Sequence, residues 1–349
     1  MSLSRRDLIG LLGAGAGAVS LSGAGRDRFP RGAIIRTLLR DLPPSALGSG
    51  ATLFHEHLSI DVPPAGPRPD GAPPLLPAAT SDVDLMIREV TTAGQEGVVC
   101  IVDGGHPDMG RKLDNLRRIA SGTPVHIVAG GGYYMQRTYP PDIATKTEDQ
   151  IADELAHEAT RDRLGAFGEI GEAAGGAALT ADERKVFRAV GKAHLRTHLP
   201  IFTHNAYGTG PMVPREAGLR QLDVLESVGV KPRSVAIGHT CCLDDPRADI
   251  IKQIAKRGAY VGFDRVTGGM VPDDKKVIMV RAFLDAGYRD QLLLCSDFTG
   301  RRTAARPGYG NTLTVFLPKL RAAGISEETL HAITVDNPRR FLAFVPHRA

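Results

Sequence analysis

No stretch of this chain reaches the roughly 18 uninterrupted apolar residues that a membrane-spanning helix needs. Hydrophobic residues nevertheless make up 42% of its 349 positions, enough for a sizeable core. Cysteine is scarce: Cys100 and Cys295 lie inside apolar strand-like runs, and Cys241 and Cys242 are adjacent. A thiol in an apolar run behaves as a small hydrophobe, and sequence neighbours pair poorly on geometric grounds. No disulfide framework is expected. A strong charge of one sign is also lacking. The formal net charge is +4, two units of it from Arg5 and Arg6, and no continuous basic stripe offers itself to a nucleic-acid backbone. No Ser/Gly linker or composition shift divides residues 26–349, so one domain is expected there.

The first 25 residues place Ser4-Arg5-Arg6-Asp7-Leu8-Ile9 ahead of a weakly hydrophobic Gly/Ala/Leu stretch, with Ser22-Gly23-Ala24 as small residues for cleavage. This pattern resembles a twin-arginine export signal and implies a periplasmic or secreted mature protein.

Eight short β-like runs follow, at 51–57, 98–104, 125–130, 165–170, 200–204, 234–239, 259–264 and 291–297. Helical periodicity fills the spaces at 82–96, 108–120, 147–164, 181–197, 215–228, 246–257 and 275–286. Alternating units with near-continuous apolar strands predict a parallel sheet buried on both faces. Eight repeats fit a closed α/β structure, the (β/α)8 TIM barrel, better than an open sheet. Residues 63–77 read as a Pro-rich loop after the first run. Near the end, Ser326 is expected to cap one helix and Asn337-Pro338 to start another.

Six residues of metal-ligand type stand at the carboxyl ends of these runs: His55, His57, Glu169, His204, His239 and Asp297. In such a barrel these ends share one active-site face. His55 and His57 are two apart, so both point to one side of their strand. Glu172, three residues beyond Glu169, falls on the opposite side. Singly, each has an ordinary reading as a hydrogen-bonded core histidine, an ion-paired glutamate or a loop-capping aspartate. Six together at the same end of five strands point to a divalent metal centre of zinc type, with manganese, cobalt and iron also compatible. His106, His126, His157, His194, His198, His331 and His347 fall outside the pattern.

The segments FHEHL (54–58), IVDGGHPDMGR (101–111), HIVAGGGYY (126–134), FGEIG (167–171), FTHNA (202–206), AIGHTCCLDD (236–245), GFDR (262–265), LCSDF (294–298) and DNPRRFL (336–342) are collinear. Together they resemble the phosphotriesterase family of the amidohydrolase superfamily. The resemblance implies two divalent ions, one held by His55, His57 and Asp297 and the other by His204 and His239. Family members usually bridge the ions with a carbamylated lysine. Here Glu169 takes that place, and no lysine occurs from 113 to 145 or from 147 to 184. The chain therefore resembles a Glu-bridged, lactonase-like branch of the family. By the same resemblance, a hydroxide shared between the ions attacks a lactone, carboxylic ester or phosphoester, and Asp297 passes its proton to the leaving group. Tyr134 is expected to approach the nucleophile, Arg265 to line the pocket, and the chain to form a homodimer. Arg301, Arg302 and Arg306 in loop 299–311 read either as a solvated cluster or as selectors of anionic or polar substituents. Two rival readings use the same ligands: a TatD-type metal-dependent nuclease, and a metal-bearing barrel that binds without catalysis.

Overall fold

The structure is a computed structural model that describes residues 29–62, 77–173, 178–205, 207 and 214–347. The expected export segment and nearly all of the Pro-rich loop 63–77 lie outside the described residues.

The chain enters through a hairpin that the sequence reading did not anticipate. β1 (Ile35–Arg36) pairs antiparallel with β2 (Asp41–Leu42). Leu38 in the turn is buried, and its N–H donates to the Ile127 carbonyl at 2.9 Å. Two-residue strands have too few positions to show a period of two, which is why the sequence hides them.

Eight parallel strands then alternate with helices, close to the expected positions. They are β3 (Ala51–Glu56), β4 (Val98–Asp103), β5 (His126–Ala129), β6 (Phe167–Ile170), β7 (Ile201–Thr203), β8 (Val235–Ile237), β9 (Tyr260–Phe263) and β10 (Leu292–Leu294). Both faces of β3, β6, β7, β8, β9 and β10 are buried, as expected where helices cover a parallel sheet. The strands form two ladders, β3-β4-β5 and β10-β9-β8-β7-β6. Isolated backbone bonds span the gaps between ladders. Gly165 N–H donates to Ala129 O at 3.0 Å and Gly168 N–H to Gly131 O at 2.8 Å; on the other side, His57 N–H donates to Phe298 O at 3.0 Å. The fold is the α/β TIM-barrel class.

The outer helices are α1 (Val83–Gln95), α2 (Leu113–Gly122), α3 (Glu148–Arg161), α4 (Ala181–Thr197), α5 (Ala217–Glu226), α6 (Asp249–Lys256) and α7 (Asp273–Asp285). Their starts are chemically marked. Asp82 accepts the Leu85 N–H at α1, and Thr147/Gln150 and Thr180/Glu183 form reciprocal capping boxes at α3 and α4, satisfying amides that have no partner inside the helix. α2 begins five residues later than the sequence suggests. Asp108 is used elsewhere, accepting the Tyr134 N–H at 2.9 Å and the Thr138 hydroxyl at 2.8 Å.

The C-terminal region brings a second correction. Ser326 caps α9 (Glu327–His331) as expected. Asn337 begins α10 (Asn337–Leu342) with Pro338 in its first turn, but as a helical residue and not as a cap: a π-helical segment, Ala332–Asp336, joins α9 directly to α10, and α8 (Leu317–Ala322) precedes both. A proline inside a regular α-helix lacks one N–H and clashes with the carbonyl four residues back; the wider π turn precedes Pro338 and makes room for it. Asn337 instead turns its amide inward and donates to the carbonyls of Arg289 and Leu292, both at 2.8 Å.

Candidate metal centre

The strand ends deliver all six expected ligands to one place. His55 lies in β3 and His57 just beyond it, and period-two alternation brings their rings to a centroid separation of 5.3 Å. Close approach here depends on Gly104 after β4, where a Cβ would lie 3.0 Å from His55 Cδ2 and 3.3 Å from His57 Cε1. His239 and Asp297 adopt left-handed backbone conformations, with φ of 53° and 48°. Non-glycine residues in that region are uncommon and concentrate where function fixes a side chain.

Two groups of donors meet at Glu169. One is His55, His57 and Asp297; the other is His204 and His239. Glu169 Oε1 lies 3.1 Å from His57 Nε2, while Oε2 lies 3.0 Å from His204 Nδ1, 3.3 Å from His55 Nε2 and 3.5 Å from His239 Nε2. Asp297 Oδ1 is 3.1 Å from His57 Nε2 and 3.8 Å from His55 Nε2. A tetrahedral ion with bonds of about 2.0–2.1 Å has ligand–ligand edges of about 3.3–3.4 Å. Most of these separations bracket that value, so four imidazoles and two carboxylates fit divalent cations. The His55 Nε2 atom is buried and has no hydrogen-bond partner, as a nitrogen aimed at a cation would be.

Electrostatics support the same fit. Burial opposes charge on His57 and His239, yet Asp297 and Glu169 for the first, and Asp264 and Glu169 for the second, outweigh it. The His57 pKa rises to about 9 and that of His239 to about 10. His55 moves up as well, against its burial, drawn by Glu169 and Asp264. His204 moves down through burial and the neighbouring His239. Glu169 and Asp297 stay below the usual carboxylate range despite burial, held there by the imidazoles. A pocket this rich in buried carboxylate draws positive charge, whether from protons or from metal ions.

A supporting layer that sequence reasoning missed holds the ligands. Asp264, directly after β9, is fully buried and serves two histidines. Its Oδ2 lies 3.0 Å from His55 Nδ1 and its Oδ1 3.0 Å from His239 Nδ1, and Oδ1 also accepts the His239 N–H at 2.7 Å. A carboxylate behind an imidazole fixes the ring and leaves the far nitrogen free to ligate. The available signal was its place at a strand end in GFDR, where only Arg265 was singled out. Glu56, between the two histidines of strand β3, faces away from them. It accepts the Ser296 N–H at 3.0 Å and its hydroxyl at 2.9 Å, and also the Phe298 N–H, thereby gripping both neighbours of Asp297. Burial pushes the Glu56 carboxyl up to about 8 against those hydrogen bonds. Glu172 stays out of the cluster, as its opposite face requires, with its Oε2 accepting from Gln221 Nε2 at 3.0 Å.

Tyr134 and Arg265 both border the centre. The Tyr134 hydroxyl is 3.3 Å from His204 Nδ1. Burial and the nearby Glu169 and Asp297 raise its pKa well above the ordinary value, so it stays a neutral phenol. Arg265 Nε is 3.4 Å from Asp297 Oδ2. Lys276, fully buried on α7, fixes the loop carrying Arg265: its ammonium donates to the carbonyls of Arg265, at 2.6 Å, and of Gly268. It also pairs with Asp273 at 3.2 Å. The Asp297 side chain is 15% exposed, against 5% or less for the other five ligands. It opens onto a cleft of about 380 Å³ between the loops after β9 and β10, lined by Arg265, Phe298, Arg306 and Asn311 among others. The other histidines lie elsewhere: His194 and His198, for example, bind the carbonyls of Leu199 and Val345. All four cysteines are buried free thiols.

Fold and centre together define a TIM-barrel protein with a candidate site for divalent metal. A family model for the phosphotriesterase family matches residues 35–342, and the chain belongs to that family. It is 32% identical over 303 residues to the phosphotriesterase homology protein of Escherichia coli K12, covering 84% of this chain and 98% of the relative. It is 30% identical over 311 residues to an aryldialkylphosphatase of Saccharolobus solfataricus, covering 84% and 95%. Among solved structures, a resiniferatoxin-binding protein from Rhodobacter sphaeroides superposes with a TM-score of 0.77 at 30% identity, covering 88% of this chain and 94% of that one. The Escherichia coli homology protein, solved with phosphate in its active site, gives a TM-score of 0.72 at 30% identity, covering 84% and 99%. Among the described residues, no helix is long and apolar enough to cross a membrane.

Proposed function

We propose that this chain is a binuclear metal-dependent hydrolase that cleaves a small-molecule lactone, carboxylic ester or phosphoester. The observation that carries the reading is Asp297: a carboxylate among the ligands, yet the most exposed of the six, opening onto a cleft. His55, His57 and Asp297 would hold one divalent ion and His204 and His239 the other, with Glu169 between them; zinc leads the candidates, with manganese, cobalt and iron behind it. Bound divalent ions acidify water toward neutral pKa and polarise the electrophile.

The remaining work falls to side chains of this chain. Asp297 takes a proton from the attacking water and delivers it to the departing oxygen, the general acid–base role its exposure suits. Tyr134, neutral at physiological pH, can donate a hydrogen bond to the oxygen that gains charge. Arg265 sits against Asp297 and favours its ionised form. Residues 1–25 direct the protein through twin-arginine export to the periplasm or beyond in this reading. N-acetyltaurine hydrolases, 27% identical in Tetraodon nigroviridis over 98% of that relative's length, add an amide to the substrates worth assaying.

The test is a panel of lactones, aryl esters, phosphotriesters and N-acetyltaurine, run with defined metals. Asp297→Asn is expected to lower turnover of any substrate found by about 100-fold or more. Undiminished hydrolysis in that variant, with fold and metal content intact, sinks the mechanism.

A further inference from the structure

The three arginines of loop 299–311 have different fates. Arg302 is committed to Glu89 and Glu96, with separations of 2.9 and 3.1 Å. Arg301 is exposed and does not line the cleft beside Asp297. Arg306, also exposed, does line it.

Arg306 is held in place without an ion-pair partner among the described residues. A tight turn fixes its backbone: Thr303 N–H donates to Arg306 O at 2.7 Å, and Arg306 N–H donates to Thr303 O and Oγ1, both at 3.1 Å. Its guanidinium carbon stands 4.8 Å from the centroid of the Phe298 ring, a cation–π contact. Phe298 is a rigid platform, buried and packed edge-on against Tyr309 with centroids 4.9 Å apart. Asn311 is 4% exposed and lines the same cleft, and its Oδ1 has no hydrogen-bond partner. A guanidinium without an ion-pair partner thus shares a cleft with the general acid–base residue, and it is the donor there for an anion, since the free Asn311 oxygen can only accept. A cleft of about 380 Å³ has room for a small organic group.

We propose that this cleft is a subsite for an anionic leaving group, so that preferred substrates end, on their departing half, in a carboxylate or sulfonate held by Arg306. The inference rests on the hydrolytic reading above. Asp297 fixes which half is meant, because the group it protonates is the one that leaves. Water adds to the acyl carbon, the bond from that carbon to the leaving oxygen breaks, and the proton lost by water arrives on that oxygen through Asp297. The products are a carboxylic acid and a hydroxy-anion. A planar guanidinium matches two oxygens of such an anion at once.

The experiment compares 3-acetoxybenzoate with its methyl ester, two aryl acetates that differ in one negative charge on the leaving group. It uses the metal-loaded full chain. Wild-type protein is expected to favour the anionic ester in kcat/KM, and Arg306→Gln to lower that preference at least about tenfold. Arg306→Lys, which keeps the charge but loses the planar fork, is expected to fall between, and Arg301→Gln to leave the ratio as it was. Calorimetric titration with 3-hydroxybenzoate supplies a readout independent of turnover: binding should weaken in Arg306→Gln. Asp297-dependent hydrolysis of both esters with no charge preference overturns the subsite and leaves the hydrolytic reading standing. If neither ester is cleaved, the calorimetry decides: Arg306-dependent binding supports the anion subsite, and its absence overturns it.

Discussion

Asp264→Asn isolates the contribution of a residue that touches no proposed substrate. In the native site each Asp264 oxygen faces one imidazole Nδ1 at 3.0 Å, and Oδ1 also accepts the His239 amide at 2.7 Å. Both histidines can therefore carry their proton on Nδ1 and keep Nε2 free. Asparagine is nearly isosteric but has one acceptor and one two-proton donor. Its oxygen will stay with His239, where it satisfies two donors, and its NH2 will then face the Nδ1 of His55. That ring must move its proton to Nε2, the nitrogen that meets Glu169 and Asp297, and it ceases to be a ligand. Losses of this kind typically cost about 10–100-fold in metal affinity, equivalent to about 1.4–2.7 kcal/mol. One ion is expected to weaken far more than the other, since His239 retains its tautomer. Competition against a chromophoric chelator would measure both affinities, with circular dichroism confirming that the barrel is folded. If the folded Asn variant binds two equivalents with wild-type affinity, the tautomer argument is refuted.

Two further outcomes follow from the same layer. Lys276→Met should cost about 2–3 kcal/mol in urea unfolding, because it leaves two carbonyls without their donor, while Asp273 keeps Lys319 at 2.7 Å and the Thr267 amide at 2.9 Å. With the Arg265 loop released, kcat/KM should also fall; stability within about 0.5 kcal/mol of wild type would show that Lys276 is not the clamp. Metal-stripped protein should show a distinctive pH dependence. His57 and His239 have folded pKa values raised to about 9 and about 10, so their contribution to stability is fully present below the unfolded value of about 6.5 and is lost as pH rises through the folded values. Thermal melts from pH 6 to 10 should therefore decline for the stripped protein and flatten once zinc replaces the protons. Parallel profiles for the two forms would contradict this.

Much of the molecule was legible in its sequence because the barrel repeats one physical rule. Strands buried on both faces read as short apolar runs, helices between them carry an apolar stripe, and ligands at strand ends must converge. What stayed hidden depends on contacts that no local window contains. His55 and Asp264 are 209 residues apart, and Glu56 and Ser296 are 240 apart. A lone Asp in GFDR and a Glu between two histidines look like any polar residue until the strands are set side by side. Local signals also misled where one pattern serves two structures. Asn-Pro marks a helix start when nothing helical precedes it, but after the π turn at Ala332–Asp336 it continues the helix. Asp108 reads as the first turn of a helix, yet its side chain is occupied by the Tyr134 loop.

In the proposed centre Glu169 would lie between the two ligand groups, and the main chain around it sets how close they come. A glutamate carries the same single negative charge as a carbamylated lysine but reaches less far, so a bridge built from it requires the two ligand groups to approach its own backbone. They do. The Glu169 N–H donates to the Gly104 carbonyl at 3.1 Å, and Gly104 is the residue whose missing side chain lets His55 and His57 close in. The same glycine therefore accepts from the Glu169 main chain and seats the histidine pair beside it. On the other side, His204 N–H donates to the Ile170 carbonyl at 2.8 Å, one residue along from Glu169, which fixes the second group against the same short segment. Both carboxylate oxygens then meet imidazoles without any further extension. In the proposed binuclear centre the shorter reach of Glu169 is thus matched by strands that bring both donor groups to it.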